Sequence, residues 1–264
     1  MVREPVVAGT FYEASPKALE KTMSKLMPAG AKAEKCISVI APHAGYMYSG
    51  KSAGEAYAAA EIPKHVIILG PNHTGLGSVI SVMDKGERKT PLGSVHINSA
   101  MAGAITGAMN IRPDFMAHMK EHSIEVQLPF LLSRNPEMDF VPVCVAEQDT
   151  NRLAALARVI SETARQSGAL IVCSTDLTHY EPDASARAKD SMVMQAIEAL
   201  DAEMLVNSVL SHDISMCGVL PAYVTLLASK ELGARRGKII SYTTSADAGA
   251  DPESVVGYCG AIIV

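Results

Sequence analysis

A chain of 264 residues, 48% hydrophobic and 19% charged, has the composition of an ordinary globular protein and is long enough to bury a stable core. That excludes intrinsic disorder and any need for disulfide staples. A formal net charge of -5 and the absence of tryptophan exclude a general nucleic-acid binder, which needs clustered cations for phosphates and aromatic platforms for bases.

In chain order, Ser15 followed by Pro16 reads as an N-cap and first helical residue, opening a helix to about Met27. A strand over Cys36 to Ala41 runs into the loop Pro42-His43-Ala44-Gly45-Tyr46, and an alanine-rich helix follows from about Lys51 to Ala60. A second strand, His65 to Leu69, leads into Gly70-Pro71-Asn72-His73-Thr74-Gly75. A third, Phe140 to Val145, precedes a helix from Thr150 to Gln166. A fourth, Ala169 to Cys173, ends in Ser174-Thr175-Asp176-Leu177-Thr178-His179. These short, continuous, β-branched runs suit strands buried on both faces. With helices between most of them, they predict a three-layer α/β/α fold around a mostly parallel sheet. Lys238 to Thr244 and Val255 to Val264 are separated by a Gly/Asp/Pro loop with no room for a helix, so they predict an antiparallel C-terminal pair whose edge could join two subunits. The basic cluster Arg235-Arg236-Gly237-Lys238 before this pair reads as a solvated turn. No interior linker or repeat appears, and residues 1–264 are expected to form one domain. No apolar run reaches the roughly 18 residues that span a bilayer, and Met1 to Pro5 has no apolar leader core. A cytoplasmic protein without membrane association is the expectation.

Open α/β sheets bind ligands at the carboxyl ends of their strands. Three of the eight histidines, His43, His73 and His179, follow such ends, each beside glycine, proline or a small polar residue. Neutral imidazole suits iron, copper, zinc and nickel, and a carboxylate or thiolate completes such sites. Asp176 and His179 are three apart and face one cavity if the turn after the strand begins a helix. The five cysteines are scattered and never spaced C-x-x-C, so neither a disulfide framework nor a zinc ribbon is suggested. Four lie in apolar runs and read as small core residues. Cys217 precedes the apolar run Val219 to Ala228, near a helix N-terminus, where the dipole favours the thiolate.

Other machinery is excluded. Gly70 to Gly75 has the spacing of a P-loop, but Leu76 stands where its lysine belongs. Gly-x-Gly-x-x-Gly, Gly-x-Ser-x-Gly and His-Glu-x-x-His are all missing. Ser174, Asp176 and His179 lie too close in sequence to align as a catalytic triad.

Six segments together resemble the Memo (mediator of cell motility) family, which is related in fold to class III extradiol dioxygenases. They are Arg3 to Tyr12, Pro42 to Tyr46, Gly70 to His73, Glu121 to Glu125, Ser174 to His179, and Cys217-Gly218. The resemblance implies that His43, His73 and Cys217 are metal ligands, the cysteine standing where the dioxygenases place a glutamate. It also implies that His179 acts as an acid/base with Asp176 nearby, and that His122 lies close to the pocket. A thiolate is softer than a carboxylate and holds iron(II), copper or zinc, so ring cleavage does not follow from the fold.

Three readings result. One is a metal-dependent redox enzyme, an oxidoreductase using iron(II) or copper on an unnamed substrate. Another is a non-catalytic module binding a small-molecule or peptide ligand in the same pocket. The third is a zinc-dependent hydrolase. The resemblance further implies a functional link, in microbes, to a radical-SAM enzyme.

Overall fold

The computed structural model describes residues 1–28 and 30–264. Its strands are β1 (Val2–Arg3), β2 (Ser38–Ala41), β3 (His65–Pro71), β4 (Ile80–Val82), β5 (Glu87–Thr90), β6 (Gly93–His96), β7 (Asp139–Val145), β8 (Leu170–Ser174), β9 (His179–Glu181), β10 (Gly237–Thr244) and β11 (Val255–Ile263). Its helices are α1 (Pro16–Leu26), α2 (Tyr46–Ala59), α3 (Ser99–Met109), α4 (Leu128–Arg134), α5 (Thr150–Ser167), α6 (Asp183–Ala199), α7 (Ala202–Ser211) and α8 (Val219–Glu231). No helix among the described residues is long and apolar enough to cross a membrane.

The main sheet runs in the order β10-β11-β2-β8-β3-β7-β4, with β9 added to β11. It is mixed rather than mostly parallel. β2, β8, β3 and β7 are parallel to their neighbours in this central group, whereas β11, β10 and β9 on one side and β4 on the other are antiparallel. The parallel strands are the ones that have helices in the chain between them. β10 and β11 form the antiparallel C-terminal pair that the loop between them requires. A second, small sheet of β1, β5 and β6 holds the amino terminus.

Local chemistry explains the long elements. Asp149 caps α5 by accepting from the Asn151 amide at 2.9 Å, and Gly168 ends it in the left-handed region. Between these caps Leu153, Leu156, Ala157, Ile160 and Ala164 form one buried stripe. The buried run of α8 needs no such stripe, because it lies across β8, β3 and β2 with α5 and α7 over it. Helix α2 starts at Tyr46, five residues before the alanine-rich stretch that signals it, because Gly45 supplies the cap and Tyr46 packs inward.

Two glycines of β11 show the layers directly. A side chain at Gly260 would meet the Ser52 carbonyl of α2 at 2.2 Å, and one at Gly257 would meet Asp190 of α6 at 1.8 Å. The positions are three apart on one strand, so α2 and α6 cover opposite faces of the sheet. Gly260→Ala should therefore push α2 off the sheet and cost about 1–3 kcal/mol, read as a lower midpoint in urea unfolding. A midpoint equal to the parent's would refute this account of the contact.

Candidate metal centre

The central strands deliver their loops to one end of the sheet. His43, His73 and Asp176 each stand two residues beyond the end of a strand, after Ala41 of β2, Pro71 of β3 and Ser174 of β8. Cys217 arrives from another direction, just before Gly218, the N-cap of α8. Gly218 is required there: a side chain would meet Thr175 Cβ at 2.4 Å, and its amide donates to Thr175 Oγ1 at 3.0 Å. This contact brings Cys217 Sγ to 3.3 Å from both the Asp176 amide and His43 Nε2. One donor atom from each of His43, His73 and Cys217 lies within 4.8 Å of the others. His122 and His179 complete a cavity of about 490 Å³ whose lining also includes Asp176, Phe11 and Tyr180.

His179 reaches the cavity by a different route from the helical turn expected. Residues 175–178 form no helix, and His179 opens β9, which pairs with β11. The strand pairing, not helical spacing, aims both Asp176 and His179 inward.

Hydrogen bonding fixes the rings. The Ser174 hydroxyl donates to the Ser123 carbonyl at 2.7 Å and accepts from Gln127 Nε2 at 2.8 Å. Gln127 cannot turn over, because the same nitrogen donates to the Pro42 carbonyl at 3.0 Å while Oε1 accepts from Tyr57 at 2.9 Å. The one lone pair left on Ser174 Oγ faces His43 Nδ1 at 2.9 Å, so that nitrogen carries the hydrogen. His73 Nδ1 faces the Glu121 carboxylate at 2.9 Å, and His179 Nδ1 faces the Ser215 carbonyl at 2.8 Å. Both partners only accept, so both rings donate from Nδ1. All three histidines thus keep an Nε2 lone pair in the neutral state. His122 is different: it stacks on His73 with centroids 4.8 Å apart, and neither of its nitrogens has a hydrogen-bond partner among the described residues.

The electrostatics differ from ring to ring around one fixed anion, Glu121. Burial lowers the His43 pKa well below its usual range, helped by His73 and His122. Burial likewise lowers His122, against the pull of Glu121. Burial would raise the Glu121 carboxyl, but its hydrogen bond to His73, the His73 charge and the Ser123 amide prevail and hold it at about 2. Burial would lower His73, and Glu121 reverses the sign so that its pKa rises. Burial also raises Asp176, although the His43 amide donates to it at 2.7 Å. The Cys217 thiol behaves opposite to expectation. Burial and then the Asp176 charge push its pKa up, outweighing the amide that points at the sulfur. A helix terminus alone does not make this thiolate; a cation would have to.

As a ligand set, His43, His73 and Cys217 fit a transition metal. Bonds of about 2.0 and 2.3 Å meeting near the tetrahedral angle separate nitrogen and sulfur by roughly 3.5 Å, close to the 3.3 Å observed. His73, Glu121 and His122 form a second group of suitable atoms. There, however, the Glu121 carboxylate already accepts from the His73 amide, His73 Nδ1 and the Ser123 amide. It acts on the His73 ring rather than offering a free ligand position. Sequence reasoning did not find Ser174, Gln127, Tyr57 or Ser215 as ring-orienting partners. Glu121 alone carried a signal, its place beside His122.

A family model described as Memo-like protein matches residues 3–262. A MEMO1 family protein of Aquifex aeolicus is 41% identical over 265 residues, covering 100% of this chain and 99% of that one. Another, of Methanopyrus kandleri, is 41% identical over 279 residues and covers 99% of both. The crystal structure of an uncharacterized protein from Escherichia coli K12 matches with a TM-score of 0.55 at 14% identity, over 86% of this chain and 100% of that chain. That last likeness concerns the fold alone.

The tautomers are directly observable. In ¹⁵N NMR recorded above the raised His73 pKa, His43, His73 and His179 should show the Nδ1–H form, the minor one in free histidine. An Nε2–H signal from His43 or His73 would refute the ring assignment.

Proposed function

The chain belongs to the Memo family, and from that premise we propose that its cavity is a non-haem metal centre of a redox enzyme. His43 Nε2, His73 Nε2 and Cys217 Sγ would hold iron(II) or copper. The observation that carries this reading is the matched pair of rings, each tied at Nδ1 and presenting Nε2 beside a thiol at the strand ends. Two neutral imidazoles and one thiolate suit these metals, and three protein ligands leave positions open for a substrate. When bound, the metal would supply one-electron chemistry and polarise a ligand at those positions.

The chain's own residues account for the rest. His179, with Nδ1 held by Ser215, has Nε2 available to take a proton from an incoming ligand and return it. Asp176 holds the His43 backbone, which fixes the ring's starting point, and its buried carboxyl faces the same cavity. His122, free of other bonds, is a second group able to exchange a proton. A zinc-dependent hydrolase would use the same ligands, since zinc also accepts mixed imidazole and thiolate sets. A metal-free module for anionic ligands is less well supported: no lysine or arginine lines the cavity among the described residues.

Elemental analysis of protein purified without air tests the reading. Near-stoichiometric iron or copper is expected, lost in Cys217→Ala and His43→Ala with the circular dichroism spectrum unchanged. Zinc in its place would favour the hydrolase, and equal metal in parent and variants would sink the ligand set. Glu121→Gln leaves all three ligands but weakens the charge behind His73. It should lower metal affinity about 10–100-fold by competition titration; parental affinity would show that Glu121 does not tune the ligand.

A further inference from the structure

Away from the strand-end cavity, one buried charge has no counter-charge bonded to it. Arg88 lies on β5 with none of its side chain exposed, and it stands opposite Arg3 of β1 in the small sheet. Side chains paired in this way leave the same face of a sheet, so two guanidinium groups enter one region of the core. Every nitrogen of the Arg3 guanidinium is bonded: Nε to the His118 carbonyl, Nη1 to Glu125 and Nη2 to the Glu121 carbonyl. Arg88 is not so served. Its Nη2 donates to His118 Nδ1 at 2.6 Å, whereas Nε and Nη1 have no hydrogen-bond partner among the described residues.

The neighbours of Arg88 do not balance its charge. Glu125 is taken up by Arg3, the Val6 and Val7 amides and the Tyr12 hydroxyl, and Glu121 by His73 and the Ser123 amide. Burial and the Arg88 charge hold His118 neutral, with Nε2 donating to the Ser81 carbonyl at 3.2 Å. Cys144 Sγ lies 3.3 Å from His118 Nδ1, and burial pushes its pKa up, so it is a thiol and not a counter-ion. The Phe140 ring, 5.9 Å from the guanidinium carbon, offers a π face without a charge. Burial and then the Arg3 charge bring the Arg88 pKa down to about 9, which leaves it charged at neutral pH. A buried charge without a partner is strongly destabilising. Water would satisfy the two N–H groups but not the charge, and an anion satisfies both. A dianion would exceed the single charge of Arg88 and bring oxygens that need further donors. A halide carries one charge and accepts from N–H and S–H alike. The Cys144 hydrogen is available to it, because Arg88 already holds the one lone pair of His118 Nδ1. We propose that Arg88 Nε and Nη1 bind a halide-sized monovalent anion, chloride in ordinary solution, within the core beside His118 and Cys144. The ion would tie the small sheet, through Arg88 of β5, to the main sheet at Cys144 of β7. This site is independent of the metal reading.

Crystals grown in sodium bromide test the site directly, because bromide is located by its anomalous scattering. A bromide peak at hydrogen-bond distance from Arg88 Nε or Nη1 is the expected result. In solution, replacing sodium gluconate by chloride or bromide at equal ionic strength should raise the melting temperature by about 5 °C at saturation, since the ion binds only the folded state. Arg88→Met keeps an apolar side chain of similar reach and removes the charge, so it should lose this dependence on halide. A water molecule, or no density, at the two nitrogens in the bromide crystal would overturn the proposal. So would equal melting temperatures of the parent in gluconate and in both halides. An equal halide shift in parent and Arg88→Met would place the ion elsewhere, at the candidate metal centre or the surface, and would overturn it as well. Should Arg88→Met not fold, the bromide map of the parent decides alone.

Discussion

One oxygen atom ties the candidate site together. Ser174 Oγ, at the last residue of β8, makes all the hydrogen bonds a hydroxyl can make, and each goes to a different part of the site. It receives the His43 ring from the loop after β2. It holds Gln127, which ties Pro42 and the Tyr57 hydroxyl of α2, and it anchors the Ser123 carbonyl beside Glu121. β8 lies between β2 and β3 in the sheet, so this serine is placed between the two histidine loops. Its position at a crossing of strand order is what converts topology into ligand geometry.

Behind that oxygen lies a buried set of charges, incomplete at Arg88, whose Nε and Nη1 find no hydrogen-bond partner among the described residues. Arg3 pairs with Glu125 and also donates to the carbonyls of His118 and Glu121, while Glu125 accepts from the amides of Val6 and Val7 and from the Tyr12 hydroxyl. Arg88, fully buried, donates to His118 at 2.6 Å, and His118 Nε2 in turn donates to the Ser81 carbonyl. Two guanidinium groups thus share the region with two carboxylates, Glu121 and Glu125. Unpaired burial of any one would cost several kcal/mol. The Arg3–Glu125 pair fastens the amino-terminal segment from which Phe11 reaches the cavity.

Much of the fold was legible because its signals are local. The β-branched runs became β2, β3, β7 and β8, each within two or three residues of the expected bounds, and Ser15-Pro16 opened α1. The histidines after those strands converge because parallel strands end at the same side. What the sequence could not announce is long-range pairing. His43 and Ser174 are 131 residues apart, and Arg3 and Glu125 are 122 apart. Glu87 to Thr90 carries three charges in four residues and gives no strand signal, yet it forms β5 with Arg88 buried. Alternation of helices and strands likewise hid the antiparallel edge strand β4, which is only three residues long. The bulge of β9 against β11, where Tyr180 is the extra residue with φ of 59°, was invisible for a sharper reason: the sequence cue for a left-handed residue is glycine.

The contrast between floor and mouth follows from the cost of error at each. A ring that presents Nε2 to a metal works only in one orientation, and three rings are each held by a partner that can only accept or has one lone pair left. The thiol completes the set but stays protonated until a cation arrives, since burial and Asp176 both oppose its charge. A metal held by this set would then have to displace that proton. At the mouth the constraint relaxes. Phe11 comes from a strap held at Glu125, and Tyr180 from a bulge of β9 where its φ is 59°. Hydrogen bonding is concentrated on the rings of the floor, and the backbone strain lies at the lip.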